Sequence, residues 1–226
     1  MAKKVAEVRD GVVLIGRFPA IANCNFDAYE GEVVYLSGPN GSGKTTLLRL
    51  LAGLVPLARG TATVFGLDLT QNRRAIRDGI GFCAHQSHLY DDLTVLENLH
   101  FAASALRLPK PTIDSLLDEF ALPNRVRKLP AQKLSAGQRK RVSLAMAVMK
   151  SPHLLLLDEP HSSLDDDGKD MVDRLMRRYA EAGTTVVVAS HETKRSAAIA
   201  DRIYRFDKGA TLGMQSSGQA EGLGDE

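Results

Sequence analysis

Three things are scarce in this sequence. Cysteine occurs twice, at Cys24 and Cys83. The two make no Cys-x-x-Cys pair and no disulfide framework, which fits a reducing compartment. Net charge is small: 29 Lys and Arg stand against 27 Asp and Glu, for a net of +2. Bulk electrostatics therefore points to no nucleic acid and no strongly acidic partner. Long apolar runs are missing as well. Met1-Ala2-Lys3-Lys4 leads into Val5, Glu7 and Asp10, with no secretory pattern. The most apolar stretch, Leu47 to Leu57, holds Arg49, Gly53 and Pro56. It is too short and too charged to span a bilayer. The chain is expected to stay in the cytoplasm and to reach a membrane through a partner, peripherally on the inner face of the plasma membrane. No internal repeat is present.

What remains is an ordinary globular composition. The 226 residues are 44% hydrophobic and 25% charged, enough for one large domain or two small ones with a real core. Short apolar runs bounded by glycine alternate with helical spacings. Val12 to Ile15, Ile21 to Phe26, Val33 to Ser37, Thr61 to Phe65 and Ile80 to His85 read as strands. So do Leu154 to Leu157, Thr184 to Ser190 and Ile203 to Phe206, the last of them. Helical patterns follow Lys44, run around Asn72 to Asp78, and recur at Val172 to Tyr179 and Glu192 to Ala200. Between Leu93 and Met149 the texture is helical and punctuated by proline. Strands alternating with helices argue for an α/β fold with a largely parallel sheet covered on both faces. The tail, 211–226, is expected to be disordered; from Gln215 onward it is Gly, Ser, Gln and acid with almost nothing apolar.

The chemistry is concentrated in a few stretches. Gly38-Pro39-Asn40-Gly41-Ser42-Gly43-Lys44-Thr45, followed by Thr46, fits the phosphate-loop pattern in full. Its glycines let successive backbone N–H groups point at phosphate oxygens. The following helix start adds its positive dipole end. Lys44 would neutralise the β- and γ-phosphates, and Thr45 would offer a hydroxyl to Mg²⁺. Asp158 ends a four-leucine strand, which would bring a carboxylate to the carboxyl edge of the sheet, where it can hold the Mg²⁺ shell. Glu159 follows directly and could polarise a water. Cys83, His85 and His88 invite a metal or haem reading, set against a structural strand end. Arg139-Lys140-Arg141 looks like a nucleic-acid patch only when taken out of context.

Between the two nucleotide motifs lies Leu134-Ser135-Ala136-Gly137-Gln138. It resembles the signature motif of ATP-binding cassette (ABC) ATPases, with Ala136 where that family usually has glycine. The resemblance runs from about Val12 to Asp207. It implies a phosphate-loop NTPase sheet with N-terminal antiparallel strands and an inserted α-helical subdomain at about 93–149, all within a domain of 1–210. It implies ATP and Mg²⁺ as ligands. Gln86 matches the glutamine loop, which contacts Mg²⁺ or the attacking water. Ser162-Ser163-Leu164-Asp165 matches the loop that crosses to a partner cassette. His191 matches the switch histidine on the γ-phosphate. Ser135, Gly137 and Gln138 would contact ATP held by the other subunit, so a head-to-tail dimer and an integral-membrane permease are the implied partners. The aromatic residue that usually stacks on adenine aligns with Ile15, with Phe18 nearby.

Among transport cassettes the sequence resembles the haem-exporter ATPases of cytochrome c maturation. The stretches are Gly16-Arg17-Phe18-Pro19-Ala20, His85-Gln86, Leu89-Tyr90-Asp91-Asp92-Leu93-Thr94-Val95, Glu97-Asn98-Leu99-His100-Phe101 and Asp158-Glu159-Pro160-His161. Multidrug and other small-molecule exporters share several of them. Non-transport cassettes acting on ribosomes or DNA usually carry two cassettes or a long coiled-coil insertion, and neither is seen here. A silent binding module is opposed by the presence of Glu159 and His191.

Overall fold

The computed structural model describes residues 2–108 and 113–216. In chain order the elements are β1 Lys4–Ile15, β2 Phe18–Tyr29, β3 Val33–Ser37, α1 Lys44–Leu51, β4 Arg59–Val64, β5 Leu67–Asp68, α2 Arg73–Asp78 and β6 Ile80–Cys83. Then follow α3 Val95–Ala105, α4 Ile113–Glu119, α5 Asn124–Arg127, α6 Ala136–Val148, β7 Leu154–Asp158, α7 Asp166–Glu181, β8 Thr185–Ala189, α8 Thr193–Ile199, β9 Arg202–Asp207 and β10 Ala210–Ser216.

Two sheets result. The first is antiparallel, in the order β2-β1-β4-β5. The second runs β10-β9-β3-β8-β7-β6 and is parallel except for β10. Its inner strands are buried on both faces, so they read as unbroken runs: Leu154-Leu155-Leu156-Leu157 and Val186-Val187-Val188. Alternate side chains serve two cores. Val33, Tyr35, Leu155, Leu157, Val186 and Val188 face the helices α3, α4, α6 and α7. Val34, Leu36, Leu154, Leu156 and Val187 face α1 and the antiparallel sheet. Each fully buried leucine contributes about 2 kcal/mol of transfer free energy.

A polar seam joins the sheets. Arg202 and Tyr204 of β9 meet Asp27 of β2 at 2.5 and 2.8 Å. Arg202 also reaches Glu32 at 3.1 Å. Phe26 packs on the Tyr204 ring at 4.9 Å between centroids.

Helices α3 to α6 lie between β6 and β7. Thr94 and Ser135 cap α3 and α6 with reciprocal capping boxes to Glu97 and Gln138, which fixes where those helices begin. The buried Arg127 guanidinium ties α5 to α4 through Asp114 and Asp118, and donates to the Leu122 carbonyl at 2.8 Å.

The structure differs from the sequence reading at the C-terminal side. Ile203 to Phe206 is not the last strand, and 211–216 is not disordered. Ala210–Ser216 pairs with β9 as a hairpin strand. Its polar composition hid it, because an edge strand is specified by its ladder partner more than by its own residues. The turn before it is pinned: Gly209 N–H donates to the Ser42 carbonyl at 2.9 Å, and its own carbonyl accepts from Ala22 N–H at 2.7 Å. Residues 217–226 of the expected tail lie outside the described residues. β1 and β2 are also longer than read. Several register shifts in their pairing break the strict alternation that would have revealed them.

Candidate functional site

The loop from Gly38 to Gly43 connects β3 to α1. Gly38 and Gly43 have φ of 144° and 108°. A Cβ at Gly38 would lie 2.2 Å from the Phe206 carbonyl oxygen, and one at Gly43 2.9 Å from that of Ala20. Only glycine can hold both positions. Gly43 caps α1 without a side-chain hydrogen bond, so the first-turn amides are left for a ligand. The buried Ser42 hydroxyl has no partner among the described residues. Leaving such a group unmatched is costly, and an anionic acceptor would match it. Lys44 Nζ donates to the carbonyls of Gly38 at 2.6 Å and Pro39 at 3.0 Å. Burial lowers its pKa, and the charges of Glu159 and Asp158 partly offset that.

Asp158 ends β7 and is buried. Its Oδ1 accepts from the Thr45 hydroxyl at 3.0 Å. The oxygens of Thr45 and Asp158 are the hard donors a divalent cation prefers. Among the described residues no group of three His, Cys, Asp or Glu side chains could hold a metal ion. A cation here would therefore need further ligands from a phosphate or water.

Glu159 follows with a left-handed φ of 50°. Its N–H donates to the Ala189 carbonyl of β8 at 2.8 Å, and its carbonyl accepts from the Ser162 hydroxyl at 2.8 Å. These contacts hold the strained backbone that turns the side chain toward the loop. The Glu159 carboxylate accepts from the His191 N–H at 3.1 Å and lies 3.3 Å from His191 Nε2. Asn40, Gly41, Ser42, Gly43, Lys44, Thr45, Thr46, Asp158, Glu159 and His191 all line one cavity of about 560 Å³. Ile15 and Ala20 line it too, whereas Phe18 is 80% exposed on the hairpin outside.

The remaining predicted residues are elsewhere. Ser135, Gly137, Gln138 and Asp165 line a second cavity of about 760 Å³, together with Ser163 and Arg141. A Cβ on Gly137 would sit 2.8 Å from the Ser163 carbonyl, so the signature helix and the loop after β7 are in close approach. Ser135 accepts from Gln138 N–H at 3.2 Å. Asp165 accepts from Gly168 N–H at 3.1 Å and from Arg141 at 3.2 Å. Within one chain this set does not meet the phosphate loop.

Gln86 departs from its expected place beside the cation ligands. It lines a third cavity, about 510 Å³, with Phe82, Cys83 and Ser143. The cause is the early end of β6 at Cys83. Lys140 of α6 donates to the carbonyls of Ala84 at 3.5 Å and His85 at 3.2 Å. That turn sends His85 to the phosphate-loop cavity and Gln86 away from it. His85 and Cys83 thus share no strand face. Sequence reasoning gave His85 no part in the nucleotide site, and it read Ser162 only as part of the loop that crosses to a partner cassette; both line the phosphate-loop cavity.

A strand–loop–helix phosphate cradle facing a strand-borne Asp-Glu pair defines a phosphate-loop nucleotide-binding protein. Comparison with known proteins narrows the class. A family model described as ABC transporter matches residues 21–162. The phosphonates import ATP-binding protein PhnC of Hyphomonas neptunium is 40% identical over 214 residues, covering 88% of this chain and 79% of that protein. The glutamine transport ATP-binding protein GlnQ of Bacillus subtilis is 34% identical over 205 residues, 87% of this chain and 84% of that one. The sulfate/thiosulfate import ATP-binding protein CysA 2 of Rhizobium meliloti is 38% identical over 205 residues, 86% of this chain, which spans only 55% of that relative. Among solved structures, an ATP-binding cassette in a dimeric post-hydrolysis state with ADP and Pi superposes with a TM-score of 0.83 at 25% identity, over 94% of this chain and 98% of that one. The chain belongs to the ABC transporter family, as one of its ATP-binding cassettes, and is an ABC-type ATPase. No helix among the described residues is long and apolar enough to cross a membrane.

Proposed function

We propose that this cassette drives a membrane transporter by hydrolysing ATP between two copies arranged head to tail. The observation that carries the site assignment is the convergence of Lys44, Thr45, Asp158, Glu159 and His191 on one cavity. The loop amides, Ser42 and Lys44 hold the triphosphate. Mg²⁺ arriving with the nucleotide would be held by Thr45 and Asp158 and would neutralise charge between the β- and γ-phosphates. Glu159 takes a proton from water as the water oxygen bonds to the γ-phosphorus and the bond to the bridging oxygen breaks, releasing ADP. His191 steadies the charge that develops on the γ-phosphate. Gln86 would join only if the turn at Ala84 to Gln86 repacks. Ser135, Gly137, Gln138 and Asp165 act on the nucleotide of the other copy. Hydrolysis is then tied to closure of the dimer, a motion that an integral-membrane permease can use while the cassette sits on the inner face of the plasma membrane.

Two cargo readings stand side by side. The stretches around Gly16 to Ala20, His85-Gln86 and Leu89 to Val95 support haem export for c-type cytochrome biogenesis. The names of the phosphonate, sulfate and glutamine relatives support import of a small polar solute. In either case the permease, not the ATPase, contacts the cargo. The test is Glu159→Gln as the only copy in the source cell. The variant should bind ATP, accumulate as a closed dimer and lose about 10²-fold or more of its turnover; wild-type hydrolysis would remove Glu159 from its role. A haem stain of the membranes then separates the cargoes. Loss of covalent c-type haem, with other haem proteins intact, supports export. Normal c-type haem sinks that reading and leaves import or export of another small molecule.

A further inference from the structure

His161 lies two residues beyond Glu159 and is fully buried, at 0% exposure. Its Nε2 is 2.8 Å from Asp173 Oδ1 on α7. The other oxygen of the same carboxylate accepts from Arg195 of α8 at 2.6 Å. Arg195 also donates to Asp170 at 2.5 Å. One carboxylate thus bridges the loop that carries Glu159 and the helix that follows His191. Beside it, Lys169 of α7 donates to Glu192 at 2.6 Å. Lys169, Asp170 and Asp173 are spaced so that one face of α7 presents all three.

We propose that His161 is a positioning residue for hydrolysis, acting through Asp173 and Arg195 to hold Glu159 and His191 in register. This inference rests on the assignment of Glu159 and His191 to hydrolysis above.

The geometry supports it in three ways. First, the two loops are already joined in front, where the Glu159 carboxylate accepts from the His191 N–H at 3.1 Å. The His191 ring also lies 3.3 Å from that carboxylate, and these front contacts must rearrange when a water and a γ-phosphate arrive between them. None of His161, Asp173 and Arg195 lines the cavity, so the link through Asp173 need not break when nucleotide enters. Second, Asp173 is held as an anion. Burial by itself would raise its pKa, but the hydrogen bonds from His161 and Arg195 outweigh this and hold it below the usual carboxylate range. With Asp173 accepting, His161 Nε2 is the donor, and the tautomer is fixed. Third, His161 Nδ1 is buried without a partner among the described residues. An apolar side chain would fill that space without leaving a polar atom unmatched, yet a histidine is present. Its polar contribution is therefore at Nε2, toward Asp173. Since a sub-ångström error in placing a general base already slows chemistry, such a brace acts on turnover more than on nucleotide binding.

The experiment uses the purified full chain. His161→Leu keeps the volume and removes the donor. His161→Gln restores a donor directed at Asp173. Arg195→Ala cuts the far end at a partly exposed site outside the core. His161→Leu and Arg195→Ala should each lower kcat by about tenfold while the KM for ATP stays within about twofold, and His161→Gln should recover most of the loss. Unchanged kcat in both variants would overturn the proposal. So would a loss in His161→Leu that His161→Gln fails to rescue and Arg195→Ala does not share, since that pattern is core packing alone. Glu159→Gln, run alongside, separates the two levels: if it too turns over normally, the underlying assignment has failed rather than the brace.

Discussion

The phosphate-loop cavity and the signature cavity are built in opposite ways. In the first, groups from different strands and loops already contact one another: the Thr45 hydroxyl donates to Asp158 at 3.0 Å, and the His191 backbone N–H donates to the Glu159 carboxylate at 3.1 Å. In the second, most polar groups are matched at helix starts, and one contact crosses between elements, from Arg141 of α6 to Asp165 at 3.2 Å. Ser135 and Gln138 satisfy each other across the first turn of α6, and Asp165 caps α7. The first cavity is anchored by strands buried on both faces. The second is anchored by helix starts, whose N–H groups project toward whatever docks. On the proposed function, the first is the reaction centre and the second is half of a site completed by another copy.

The largest expected effect comes from the side that needs no partner. Lys44→Ala removes charge-assisted hydrogen bonds to phosphate and should weaken ATP binding to the isolated chain by about 100-fold, measured by nucleotide titration. Retained affinity would mean that the loop amides alone suffice. On the other side, Gly137→Val forces a side chain against the Ser163 carbonyl. It should leave ATP binding to the single chain intact and lower steady-state hydrolysis by about tenfold, because only the paired site is damaged. Equal loss of both would erase the distinction between the cavities. The smallest effect lies in the polar seam between the two sheets. Burial would raise the Asp27 carboxyl, but hydrogen bonds from Arg202, Tyr204 and Arg9 hold it at about 2. A depressed folded pKa contributes stability above the unfolded value and loses it as pH falls through the folded one. Denaturation curves should therefore show a loss between about pH 4 and pH 2 that Asp27→Asn flattens. An unchanged slope would remove the seam as a source of acid sensitivity.

How much of this was legible in the sequence follows the same divide. Gly38 to Thr45 and Leu154 to Glu159 are contiguous, and their spacing reflects the physics of a strand, a turn and a helix start. Those stretches could be read directly. Gln86 could not, because its direction is set by Lys140, a residue on α6 that captures the carbonyls of Ala84 and His85. His161 gave no signal either: its partners Asp173 and Arg195 are brought to it only by the packing of α7 and α8. β10 escaped because Gly213, Gln215 and Ser216 are poor strand formers in isolation, and the ladder to β9 supplies what they lack.

That hairpin has a practical consequence for anyone shortening or tagging the protein. Gly209 is bonded to Ser42 on one side and Ala22 on the other, and Thr211 accepts from the Asn25 N–H at 2.9 Å. The polar, loop-like residues after Asp207 therefore act as a buttress for the nucleotide cradle at the opposite end of the sequence. A cut placed just after Asp207 would remove these ties and loosen the loop of the nucleotide cradle without touching a residue of the loop itself.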